Sequence, residues 1–277
     1  MLTTEDHSRD SANMRYIYPV VSRRAAGVSI GINLNPNNAC NWRCVYCQVP
    51  DLKRGGPPPI DLLLLERELD DLLNRVLNGD FLATHAPAGS RRLVDVAFSG
   101  NGEPTSAAEF PQAVERVRAV LQKHHLAQRV PMRLITNGSM LDRPAVQAAL
   151  RHFRDDKGEV WFKLDSATAS GVQRINGSRV RPETVARRLA CCARLATTWV
   201  QTCMFLFDGQ APSSDELEAY LKMLTPLAPR LAGVHLYGVA RPSLQKEAPR
   251  LGRLSSQSLE DIARRIRQIG LAVQVSP

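Results

Sequence analysis

The run Val28-Ser29-Ile30-Gly31-Ile32-Asn33-Leu34, followed five residues later by Cys40-Asn41-Trp42-Arg43-Cys44-Val45-Tyr46-Cys47, decides how this chain is read. The first part is apolar and β-branched, of ordinary strand length. The second is a loop whose three thiols stand three and then two residues apart. A loop that directly follows a strand lies at that strand's C-terminal end. In folds of parallel strands covered by helices, that end carries the chemistry.

The rest of the chain repeats the alternation. Further strands are expected at Leu93–Phe98, Met132–Thr136, Val160–Leu164, Val200–Phe205 and Gly233–Val239, with a short last one at Leu271–Val275. Amphipathic stretches lie between them. Asp61 is placed to cap a helix through Leu77 that stops at Asn78-Gly79, and Ser106-Ala107-Ala108-Glu109 has the capping-box pattern for a helix to about His124. Asp142 before Pro144, Pro182-Glu183, Ser213 with Glu216, and Ser255 ahead of a stretch to Gln268 mark four more starts. Strand–helix repetition implies a parallel sheet covered by helices. About six units predict an α/β fold of the partial (open) parallel (β/α)6-type barrel, since a closed eight-fold barrel takes about 250 residues or more. The expected organisation is an N-terminal extension at 1–26, the barrel at 27–240, and a basic loop, helix and short strand at 241–277.

The 277 residues are 44% hydrophobic, enough for a sizeable core. No apolar run reaches bilayer length, and the polar, acidic start from Met1 to Asp10 is unlike a secretory signal. The expectation is therefore a cytoplasmic protein with no membrane association. Three of the six cysteines fall within eight residues, a clustering that points to metal binding rather than disulfides. Cys191, Cys192 and Cys203 read as buried and inert, and His124-His125 as a structural pair at a helix end. The formal net charge of +9 favours anionic partners, RNA among them.

Three thiolates on one tight loop can hold three irons of a 4Fe–4S cube and leave the fourth open to a small chelating ligand. The competing reading is a zinc site, which needs a fourth ligand that no nearby residue supplies.

Cys-x3-Cys-x2-Cys with an aromatic before the last cysteine resembles the signature of the radical S-adenosylmethionine superfamily. The approach Pro19-Val20-Val21-Ser22-Arg23-Arg24, then Ser29–Leu34 and Cys44-Val45-Tyr46-Cys47-Gln48, resembles the subgroup of iron–sulfur oxidoreductases related to the tRNA wyosine-base synthetases. The likeness runs through Ser99–Thr105, Ile135–Gly138 and Lys163–Ser166. It implies a radical SAM core, a 4Fe–4S cluster on Cys40, Cys44 and Cys47, and S-adenosylmethionine chelating the open iron. It also implies a flavodoxin or ferredoxin-type reductant, and a deoxyadenosyl radical that takes hydrogen from a substrate, an RNA base or else a peptide, sugar or metabolite. The wyosine synthetases carry additional cysteines ahead of this triplet. None precedes Cys40 in this sequence, so their particular reaction is not expected here.

Other strand ends supply the remaining candidates. Ser99-Gly100-Asn101-Gly102-Glu103-Pro104-Thr105 offers two glycines for close backbone approach and a carboxylate for an ammonium group. By resemblance, Gly100, Asn101, Gly102 and Glu103 bind the cofactor's methionine part; otherwise they form a plain turn. Thr136-Asn137-Gly138 can bond a carboxylate or ribose, or simply end a strand. Lys163 and Asp165 share one strand face and, with Ser166, meet the cofactor or form an internal ion pair. Tyr46 is expected to set backbone groups near the adenine. The loop from Arg241 to Arg253 has a basic excess that suits an anionic substrate or plain solvation. No catalytic side chain is identified.

Overall fold

The computed structural model describes residues 2–3, 12–22 and 27–277; most of the polar N-terminal segment, and Arg23 and Arg24, lie outside the described residues. Eight strands form one sheet whose spatial order follows the chain: β1 Ile17–Ser22, β2 Gly27–Asn33, β3 Leu93–Ser99, β4 Met132–Thr136, β5 Glu159–Lys163, β6 Thr197–Cys203, β7 Gly233–Tyr237 and β8 Val273–Ser276. β1 runs antiparallel to β2, with Ile17 opposite Ile32 and Ser22 opposite Gly27; all later neighbours are parallel. Among the described residues nothing pairs β1 with β8, so the barrel is open, as expected.

Seven helices matter for the layout: α1 Leu62–Asn78, α2 Phe110–Lys123, α3 Pro144–Asp155, α4 Ala169–Asn176, α5 Pro182–Leu195, α6 Ser214–Leu224 and α7 Ser256–Gln268. Period-two strands explain the two faces. Ile30, Ile32, Phe98, Leu134, Phe162 and Val200 point outward into the core made with the helices. Their neighbours in sequence point inward and leave the barrel interior polar at Ser29, Asp95, Arg133 and Gln201.

Most caps behave as the sequence implies. Asp61, Ser213 and Ser255 accept from Leu64 N, Glu216 N and Ser258 N, and α5 opens on Pro182. Two expectations need correction, and two elements went unanticipated. Ser106 opens no helix: its hydroxyl donates to Glu103 O at 2.6 Å within a 3-10 turn, and α2 starts four residues later at Phe110-Pro111. Asp142 caps nothing, because Arg187 and Arg188 draw its carboxylate away. The eight-residue α4, capped by Thr168, was not anticipated; two turns are too few for periodicity to register. β1 was not anticipated either. Both β1 and β8 lie in the main sheet.

Candidate active site

The loop after β2 is built by asparagines. Five of them fall between residues 33 and 41, and short amide side chains readily bond local backbone. Asn33 Oδ1 accepts from Asn35 N and, across to the next strand's loop, from Asn101 N, both at 3.1 Å. Asn35 Nδ2 donates to Ala39 O at 2.9 Å, and Asn101 Nδ2 to Asn38 Oδ1 at 2.7 Å. Asn41 receives Asn137 Nδ2 at 2.9 Å and donates to Ser139 Oγ at 2.7 Å. The cysteine loop is thus tied to the ends of β3 and β4.

The glycines serve that joint. A Cβ on Gly102 would stand 2.2 Å from Ala39 O, and one on Gly100, whose φ is +117°, 2.5 Å from Asn33 Oδ1. The close approach anticipated toward a ligand is therefore made toward the cysteine loop itself.

Glu103 is buried and saturated with donors. Its carboxylate accepts Thr136 Oγ1 and Asn137 N at 2.6 Å, Thr105 N at 3.1 Å, and the Thr105 hydroxyl. Burial pushes its pKa above the usual carboxylate range, against the lowering pull of those bonds. Glu103, Thr136 and Asn137 thus form one hydrogen-bonded knot. Asn101 differs: its Oδ1 is buried and has no partner among the described residues.

A second chain of contacts crosses the cysteine loop from the side of β5. Tyr46 OH donates to Asp165 Oδ2 at 2.6 Å and receives the Lys163 ammonium, which lies 3.4 Å from Asp165. Asn176 Nδ2 bonds Asp165 Oδ2 at 2.7 Å and Cys44 Sγ at 3.3 Å. Burial is the largest influence on Lys163 and works against its charge, but Asp165 together with Tyr237, Cys44 and Cys203 holds the pKa well above its ordinary value.

These elements enclose a cavity of about 580 Å³. Cys40, Cys44, Cys47, Tyr46, Gly100, Asn101, Gly102, Glu103, Thr136, Asn137 and Lys163 all line it. Asp165 and Ser166 do not: they line a smaller hollow beside β6. Asp165 instead braces Tyr46, Asn176 and Cys203 N, the internal pairing weighed against cofactor contact. At the floor, Arg133 bonds Asp95 and, at 3.0 Å, Glu159, and lies over the Trp161 ring.

The three thiols are free. Burial pushes Cys40 up to about 11 and Cys44 up to about 12, so both are protonated at neutral pH until a metal displaces the proton. Among the described residues no three His, Cys, Asp or Glu side chains meet closely enough to bind a single ion. A cube spreads its ligands over separate irons, and three thiols on one cavity wall fit it. The unpartnered Asn101 acceptor on the same wall fits the ammonium donor of an amino-acid-bearing cofactor.

The residues missed from sequence are the connecting ones: Asn33, Asn35, Asn38, Asn41, Asn176 and the floor pair Asp95–Arg133. The density of asparagines before Cys40 was the one available signal.

The family profile described as the radical SAM superfamily matches residues 34–224. A UPF0026 protein of Helicobacter pylori is 28% identical over 160 residues, 57% of this chain and 44% of that protein. Another, of Methanocaldococcus jannaschii, is 27% identical over 164 residues, 57% of this chain and 42% of that protein. These matches span less than half the length of the curated relatives. Among solved structures, a radical SAM methyltransferase from Sphaerobacter thermophilus is similar with a TM-score of 0.61 at 15% identity, over 94% of this chain and 68% of that one. TYW1 with a lysine–pyruvate adduct bound gives 0.59 at 14% identity, over 88% and 74%. At such identities the likeness establishes the fold and leaves the substrate open. Among the described residues no helix is long and apolar enough to cross a membrane.

Proposed function

Because the chain belongs to the radical SAM superfamily, whose members use a 4Fe–4S cluster and S-adenosylmethionine and require an electron donor, we propose that it is a radical SAM enzyme working in the cavity under its cysteine loop. The observation that carries this reading is the convergence of Cys40, Cys44 and Cys47 with the ends of β3, β4 and β5 on one cavity. When bound, the cluster and S-adenosylmethionine would supply hydrogen-abstracting radical chemistry, driven by one electron from the reduced donor.

In this reading Cys40, Cys44 and Cys47 hold three irons. Asn101 Oδ1 accepts from the cofactor's ammonium, and the Lys163 ammonium offers the cavity a donor not spent on Tyr46 or Asp165. Glu103, Thr136 and Asn137 keep the strand ends in register so that the thiols and Asn101 face the same space. The open side of the barrel admits substrate, and the aromatic wall of Trp161, Tyr18 and Tyr237 limits water.

Anaerobic reconstitution with iron and sulfide tests the assignment. The wild type takes up about four irons per chain and cleaves S-adenosylmethionine when reduced, whereas Cys44→Ala takes up none. A colourless protein holding zinc, or normal iron content in the variant, overturns it.

The substrate in this proposal is an RNA base. Its support is the net charge of +9, because phosphate contacts reward uncompensated cations. Transfer RNA binding that weakens steeply with salt is expected; negligible binding at low salt sinks the RNA assignment while leaving the radical chemistry intact.

A further inference from the structure

The short helix α4 ends against the cysteine loop and delivers one polar side chain to it. Thr168 caps the helix, and Gly177 closes it in the left-handed region at φ +58°. A Cβ on Gly177 would stand 3.0 Å from Arg43 O, so a glycine here lets the helix end lie close to the loop. Two backbone bonds fix the pairing, Arg43 N to Asn176 O at 2.9 Å and Val45 N to Ile175 O at 2.8 Å.

In that position the Asn176 amide reaches two acceptors. Nδ2 donates to Cys44 Sγ at 3.3 Å and to Asp165 Oδ2 at 2.7 Å, one hydrogen for each. The acceptors themselves decide which end of the amide faces them. A metal-bound thiolate and an ionised carboxylate only accept, so the NH2 group has to point at both. Asp165 is in turn held by Cys203 N at 3.0 Å and Tyr46 OH at 2.6 Å. Lys163, 3.4 Å from Asp165, offsets its charge. Asn176 is buried, and the sequence neighbours Val45 and Ile175 pack with Cys203 and Phe205 in one apolar cluster. Apolar surroundings strengthen a hydrogen bond by lowering the local dielectric.

Cys40 also receives a donor, Trp42 N at 3.4 Å, but that is local backbone within the loop. The Cys44 contact comes from a side chain 132 residues away. A hydrogen bond to a cluster sulfur is not neutral toward the electron. Reduction adds negative charge that spreads onto the thiolates, so a donor favours the reduced form and raises the potential.

We propose that Asn176 sets the reduction potential of the group held by Cys44, through the N–H···S bond that Asp165 orients. Asn176 is a positioning residue, acting through the Cys44 sulfur. The proposal rests on the reading that Cys40, Cys44 and Cys47 hold a 4Fe–4S cluster. On reduction one electron passes to the cluster from the chemical reductant, which is oxidised, and no proton or group moves with it.

The test is a potentiometric titration with dithionite, followed by electron paramagnetic resonance, in the absence of S-adenosylmethionine. The proteins are the anaerobically reconstituted wild type, Asn176→Leu, Asn176→Ala and, for comparison, Gln245→Ala. Gln245 Nε2 braces the same loop at carbonyls, Cys47 O at 3.3 Å and Val49 O at 3.1 Å, rather than at a sulfur. Both Asn176 variants are expected to take up iron as the wild type does and to need a more negative potential for half-reduction. At a fixed potential the ratio of reduced to oxidised cluster falls about 10-fold, a shift of about 59 mV for one electron. Gln245→Ala titrates with the wild type. If only one Asn176 variant loads, that one decides.

A wild-type potential in the loaded variants overturns the proposal; weaker S-adenosylmethionine binding alongside it assigns the amide to the cofactor instead. An equal shift in Gln245→Ala also overturns it, because any loosening of the loop then moves the potential. So does a failure of both Asn176 variants to take up iron, which makes the residue a brace. A wild type without iron defeats the cluster reading beneath the proposal; a loaded wild type whose potential ignores Asn176 defeats this assignment alone.

Discussion

Glu103 looked from sequence like a ligand for a cofactor ammonium, and its surroundings give it a structural duty as well. Four donors from three residues converge on its buried carboxylate, tying the loop after β3 to the end of β4. In Glu103→Ala the Thr105 and Asn137 amides and two hydroxyls lose their acceptor, a change worth about 2–4 kcal/mol. Urea unfolding of the iron-free protein should register it; a loss under about 1 kcal/mol means that water replaces the carboxylate freely. The pH dependence has a defined sign. Burial raises this pKa in the folded state, so the folded form binds its proton more tightly than the unfolded one. Its contribution to stability is therefore fullest below the ordinary glutamate value and declines as pH rises through the folded value. Glu103→Gln should flatten that decline. The carboxylate was legible because it sits in a glycine-flanked motif. Asn176, which bonds both Cys44 and Asp165, was not: a single asparagine 132 residues from its cysteine has no spacing to read.

At the scale of elements, period and caps foretold most helices, and buried anchors decided what periodicity could not. β1 shows why. Its run Ile17–Ser22 is short, contains Pro19 and pairs on one side only, so nothing in its composition marks it as part of the main sheet. What fixes its start is Glu68 on α1. That buried carboxylate accepts Arg15 N at 2.7 Å, Tyr16 N at 2.8 Å and Ile17 N at 3.3 Å. This charged residue in the middle of α1 supplies the acceptors that the first turn of chain into β1 lacks. Glu68→Ala strands three amides and is expected to cost about 2–4 kcal/mol. Amide hydrogen exchange should speed up at Arg15–Ile17 well before it does at β4 or β5. Uniform exchange across all three strands would mean that β1 is held by its pairing with β2 instead.

For the whole molecule, strand order equal to chain order made the open barrel legible: each unit lies beside the one before it, so local reading sufficed. The site was legible in its thiols and strand-end motifs, and illegible where distant segments meet on the cysteine loop. Three such segments do meet there. The chain leaving α4 pairs with it through Arg43 N to Asn176 O at 2.9 Å and Val45 N to Ile175 O at 2.8 Å. The loop after β3 joins it through Asn33 and Asn101, and the segment after β7 through Ser243, Gln245 and Glu247. A group bound by the three thiols therefore stabilises a junction of the beginning, middle and end of the fold, and its binding energy appears as global stability rather than local order. Binding to the folded state alone, at about 100 times the dissociation constant, contributes roughly 2.7 kcal/mol. For a chain of this size each kcal/mol shifts Tm by about 2–4 °C. Reconstitution should raise the wild-type Tm by at least about 5 °C, measured anaerobically by circular dichroism, and leave Cys44→Ala where it was. If the loaded wild type melts with the iron-free protein while hydrogen exchange slows only at residues 40–47, the loop orders by itself and the junction does not couple the three segments.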